Sequence, residues 1–95
     1  MIATVMGKFK RPYKLDNGVS GVSGRVSLFL GQYASDSLSG AIGEGEQFIE
    51  VKCPEALVDA IKVNDELYVD LDDKKERIKS ALLKTGDNCF SPLEV

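Results

Sequence analysis

Apolar and polar positions alternate with a period of two over much of this chain. Gly24–Tyr33 (GRVSLFLGQY) places Val26, Leu28 and Leu30 on one side and Arg25, Ser27 and Phe29 on the other, the pattern of a strand with one face on a core. Glu46–Cys53 (EQFIEVKC) repeats it, with Ile49, Val51 and Cys53 inward and Phe48, Glu50 and Lys52 outward. Glu66–Leu71 (ELYVDL) turns Leu67, Val69 and Leu71 in and Tyr68 and Asp70 out. Near the start, Ile2–Phe9 (IATVMGKF) is rich in strand formers, and Gly7 suits a bulge. Pro12 withholds a ladder donor, so that strand should end there or reach a sheet edge, and Pro92 marks the final strand, Cys89–Val95, as an edge.

The period changes in two places. Pro54–Lys62 (PEALVDAIK) predicts a short helix, with Pro54 and Glu55 suited to its first turn and Leu57 and Ile61 docking it on the core. Glu76–Lys84 (ERIKSALLK) fits two templates: Ile78, Ala81 and Leu82 make a helix face, whereas Ile78, Ser80 and Leu82 make a strand face. Asp16-Asn17-Gly18 signals a turn, the glycines at 18, 21 and 24 predict a mobile loop, and Ala34–Gly45 reads as a second loop. Together these elements predict a mainly β fold: a small OB-like Greek-key barrel of about five strands, with a short helix between the third and fourth.

Ninety-five residues bound this to one domain, residues 1–95. Apolar content of 43% and charged content of 28% are those of an ordinary globular chain. No apolar run approaches the ~20 residues of a membrane span. The N-terminal stretch lacks the pattern of a signal peptide, so a cytoplasmic location is expected.

Candidate chemistry is sparse. There is no histidine, so no Ser-His or Cys-His pair is available. Cys53 and Cys89 are expected as buried small hydrophobes, and with them alone a zinc site lacks ligands. Asp70, Asp72 and Asp73 read as a solvated turn, and GVSGVSGR lacks the lysine and the following helix of a phosphate loop. No enzyme, metal or cofactor is expected.

Charge changes the picture more. The net charge is −3, yet residues 1–33 carry five bases against one acid, and residues 34–95 carry seven against fourteen. Such asymmetry suggests a positive face directed at an anion. Most of the early charge lies in KFKRPYK, where Lys8 and Lys10 alternate with Phe9, and Arg11 and Tyr13 form the next same-face pair. Cations can track a phosphate backbone while rings stack on bases. Arg25, Phe29, Phe48, Lys52 and Tyr68, all outward on other strands, would extend the platform. A rival reading lets the rings fill a second small core and the cations blunt a sheet edge.

Two stretches, FKRPYKLDNGVSGVSGRVSLFLG and PEALVDAIKVNDELYVDL, together resemble the small OB-fold single-stranded DNA-binding proteins of phages, plasmids and integrative elements. The first resembles their basic-aromatic segment, flexible arm and barrel strand; the second, their short helix, polar turn and strand. The resemblance implies non-enzymatic coating of single-stranded DNA, with RNA as a variant, by a homodimer or higher oligomer during replication or transfer. It carries Lys8, Lys10, Arg11, Tyr13, Lys14, Arg25 and Phe29 into the nucleic-acid-binding set, followed by Phe48 and Lys52; Phe9 joins them from the alternation itself. The alternative is a protein–protein interaction or assembly module of a mobile element, working through acidic surface around Glu44–Lys52 or Asp70–Glu76.

Overall fold

The alternating segments pair into one antiparallel sheet. A computed structural model of the chain describes residues 1–95. Six strands, β1 (Ile2–Lys14), β2 (Ser20–Gln32), β3 (Glu46–Cys53), β4 (Glu66–Leu71), β5 (Ile78–Gly86) and β6 (Cys89–Leu93), lie in the order β3-β2-β1-β4-β5-β6. One helix, α1 (Glu55–Ala60), joins β3 to β4. The sheet does not close into a continuous ladder. A single parallel bridge, Lys52 to Arg77, sets the end of β3 beside the approach to β5, where the Lys52 N–H donates to the Glu76 carbonyl at 2.8 Å.

The inward positions build the core. Val26, Leu28, Val51, Cys53, Leu67 and Val69 are all buried, with Ala3, Val5, Ile78 and Ala81 beside them. Leu57 and Val58 of α1 and the following Ile61 complete the cluster. Each large aliphatic side chain so buried contributes about 1.5–3 kcal/mol. The helix is shorter than the expected Pro54–Lys62: Pro54 is its N-cap, with extended backbone, and Ile61 its C-cap.

Several expectations require correction. The sheet has six strands rather than about five. Glu76–Lys84 holds no helix; β5 occupies it, pairing with β4 and β6. An irregularity between Asp70/Leu71 on β4 and Ser80/Ile78 on β5 spaces the inward residues Ile78 and Ala81 three apart, which imitates a helix face. The glycine-spaced segment is no loop either: from Ser20 onward it is the first half of β2, and only residues 15–19 turn. Cys89 is exposed, and both thiols are free. Pro12 does not end β1. Beyond Thr4, however, β1 pairs with β2 alone, so the proline lies on a free edge, as its missing donor requires.

That one-sided pairing turns β1 and β2 into a projecting two-stranded arm. The radius of gyration is 15.5 Å, against about 12 Å for a compact chain of this length. No helix is long and apolar enough to cross a membrane.

Candidate nucleic-acid interface

The face presented by β1 changes partway along. Ala3 and Val5 point into the core; the register then slips between Val5 and Gly7. Because side chains alternate with a period of two, one extra residue exchanges the faces of everything after it. Beyond the bulge, Gly7, Phe9, Arg11 and Tyr13 turn to the outer face, and Lys8, Lys10 and Pro12 to the inner one.

Register then assembles rows across three strands. Phe9 lies opposite Arg25, which lies opposite Lys52. Thr4, Phe29 and Phe48 form a parallel row, in which the two rings pack at 5.3 Å between centroids. Toward the arm tip, Arg11 faces Ser23 and Tyr13 faces Gly21. Phe9, Tyr13 and Phe48 are each about half exposed, at 53%, 44% and 51%, so these rings fill no second core. Along the Phe9–Arg25 row runs a groove of about 570 Å³, lined by Gly7, Lys8, Phe9, Arg11, Ser23, Arg25, Ser27 and Glu50.

Glycine explains why the arm is strand. The Tyr13 ring lies over Gly21, whose hypothetical Cβ would sit 2.7 Å from the phenol oxygen. Gly24 is buried on the other face, where a Cβ would meet the Cys53 carbonyl at 2.6 Å and Val58 Cγ2 at 2.8 Å. One glycine admits a ring and the other admits α1.

The inner-face lysines are engaged elsewhere. Lys8 Nζ donates to the carbonyls of Val58 and Ile61 at 3.0 and 2.8 Å, satisfying acceptors at the end of α1. Lys10 Nζ meets Asp59 at 2.8 Å and Glu55 at 3.5 Å. The Asp59 hydrogen bond, with the nearby carboxylate charges, raises the Lys10 ammonium above its ordinary value. Thus Lys8 and Lys10, expected among the binding residues, hold the helix on the side opposite Phe9 and Arg11. Lys14 is exposed at the arm's end, on the Lys10 side of the ladder.

The outer-face cations are freer. Arg25 pairs with Glu50 at 3.1 Å, whereas Arg11 and Lys52 make no ion pair. Two further cations, absent from the sequence-derived set, join them. The Lys52–Arg77 bridge brings Arg77 into a second hollow of about 340 Å³, shared with Tyr13, Arg25 and Lys52. Lys75 lines the surface beyond, with Arg25 and Lys52. Neither had a local signal, since only the meeting of β3 with the approach to β5 places them. Burial pushes the Cys53 thiol up, and Arg77 nearby partly opposes that.

Tyr68 stands apart from this surface. Its strand neighbours are Ile2 and Leu82, and its ring meets Phe90 edge-on at 6.4 Å. No three cysteine or acidic side chains gather as metal ligands. The assembled face therefore offers hydrogen-bonding cations and flat apolar rings in an open groove, which suits a polyanion that carries planar groups. No protein-family model, curated protein or solved structure matches the chain.

Proposed function

We propose that this chain binds single-stranded nucleic acid, most naturally single-stranded DNA, on the outer face of β1, β2 and β3, and catalyses no reaction. One observation carries the reading: Phe9, Arg25 and Lys52 stand in a single row across three strands, flanked by the Phe29–Phe48 pair on one side and Tyr13 on the other. Rings on this face would stack on bases at about 1–3 kcal/mol each. Arg11, Lys52 and Arg77, with Arg25 exchanging Glu50 for a phosphate, would follow the backbone. Four neutralised phosphates on a single strand give a slope of about −3 in log affinity against log salt.

A β1-β2-β3 meander, β4 on the other side of β1, a helix between β3 and β4, and β3 touching the approach to β5 support reading the unclosed sheet as a small Greek-key barrel of the OB type left open along one seam. In such barrels the β1–β2 and β4–β5 connections flank the oligonucleotide. Here the end of β1 leading into the first connection contributes Tyr13 with Arg11, and the β4–β5 connection contributes Arg77 with Lys75.

The test is fluorescence anisotropy with a labelled oligo-dT at low and moderate salt. Phe9→Ala and Tyr13→Ala should each weaken binding about 5- to 100-fold at both salts, the range expected for one lost stack. Native affinity in both variants, or no binding by the native chain at low salt, removes the proposal.

A further inference from the structure

We infer that the loop between β2 and β3 docks on the tip of the β1–β2 arm of a second copy of this chain, joining molecules head to tail. This connection is built rather than slack. The Tyr33 N–H donates to the Gly45 carbonyl and the Asp36 N–H to the Ala41 carbonyl, each at 2.9 Å. Ser35 Oγ donates to the Gly43 carbonyl and accepts from the Gly43 N–H. The Asp36 carboxylate accepts from the Leu38 N–H at 3.0 Å. Yet this ordered frame leaves Leu38 and Ile42 98% and 92% exposed. Two large aliphatic side chains held out by an ordered loop, with nothing upon them, mark a contact surface.

The loop's charge says what should cover it. Residues 33–46 carry Asp36, Glu44 and Glu46 and no cation. The opposite end of the molecule has the complementary character. At the arm tip Leu15 and Val19 are each 51% exposed, and Arg11 and Lys14, which make no ion pair, outnumber the single acid of the turn, Asp16. β2 connects the two ends, and its length separates them by about 40 Å at 3.3 Å per residue, so one chain cannot bring them together. Loop against loop would oppose three acids to three with no base between them, which is penalised, and tip against tip would leave the acids of both loops unmatched. Loop against tip pairs apolar with apolar and acid with base. Such a contact joins different surfaces, so unless a ring closes it propagates as an open chain.

Arg11 is shared with the binding face, but the experiment uses no nucleic acid and varies only Lys14, Leu15, Leu38 and Ile42, so the two proposals are tested separately. The experiment is sedimentation equilibrium of the full chain alone, at low and high salt. The native protein should exceed dimer mass as concentration rises, less so at high salt. Leu38→Ser/Ile42→Ser and Lys14→Glu/Leu15→Ser should each sediment as monomers. An equimolar mixture of the two should form a dimer and stop there, because one supplies only a tip and the other only a loop. A native chain that stays monomeric up to millimolar concentration overturns the inference without recourse to any variant. So does a loop variant that still associates, or a mixture that does not associate when the native chain does.

Discussion

Replacing Gly24 by alanine tests whether the arm's glycines are there for packing or for mobility. The added methyl would lie 2.6 Å from the Cys53 carbonyl oxygen and 2.8 Å from Val58 Cγ2, whereas unstrained contacts sit near roughly 3.5–4 Å. The neighbours must therefore retreat by about an ångström, and the oxygen belongs to the backbone of β3, which Gly24 directly faces. Overpacking of this kind costs about 1–3 kcal/mol. The backbone φ of Gly24 is not positive, so alanine brings no torsional strain and recovers about 0.4–1 kcal/mol by restricting the unfolded chain. The net expectation is a loss of about 1–2 kcal/mol. In urea denaturation that lowers the midpoint by about 1–2 M for a slope near 1 kcal/mol/M, and it lowers Tm by about 4–16 °C. Gly21→Ala is the control. Its methyl meets only the half-exposed Tyr13 ring, which can swing away, so its stability should stay within about 0.5 kcal/mol of native, as at ordinary surface sites. If Gly24→Ala matches the native protein, or Gly21→Ala proves the more damaging, the close approach of α1 is not what requires glycine here.

Arg11→Ala should reduce the salt slope of oligonucleotide binding by about 0.7, whereas Lys10→Ala should leave that slope unchanged and lower stability modestly; anisotropy and denaturation on the same two variants separate these outcomes. Lys8→Met removes the charged donor from two helix carbonyls and should cost about 1–3 kcal/mol in urea while anisotropy reports native affinity. The Cys53 thiol is raised above its ordinary 9.0 by burial, so above that pH the unfolded chain releases a proton that the folded chain retains. Its contribution to stability is full below pH 9.0 and declines as pH rises toward the folded value. Denaturation midpoints should fall above that point in the native protein and fall less steeply in Cys53→Ala.

Much of the sheet was legible from alternation alone. β2, β3 and β4 turn their expected residues inward, and the outward set of Arg25, Phe29, Phe48 and Lys52 lies on one face. What escaped the sequence was non-local. Glycine has no side chain to alternate, so the first half of β2 looked like a loop until the Tyr13 ring and α1 supplied reasons for Gly21 and Gly24. In β5 a bulge spaced Ile78 and Ala81 like a helix, and pairing with two neighbouring strands outweighed helix propensity. The partners of Lys8 and Lys10 lie on α1, some fifty positions away, so no local pattern could withdraw them from the binding set. Arg77 was missed for the mirror-image reason: a single bridge, not a motif, carries it to the groove.

The slip between Val5 and Gly7 has an evolutionary corollary. It divides the arm into two interleaved sets of positions that answer to different demands. Of the even-numbered ones, Lys8 and Lys10 must suit the helix, and Lys10 should change together with Glu55 and Asp59. The odd-numbered ones owe nothing to the interior and are free to diverge toward whatever the exposed side meets. Loss of the inserted residue would exchange the two sets, turning rings inward and ammonium groups outward in one step, so a single-residue deletion there should be tolerated far less well than any substitution in the arm.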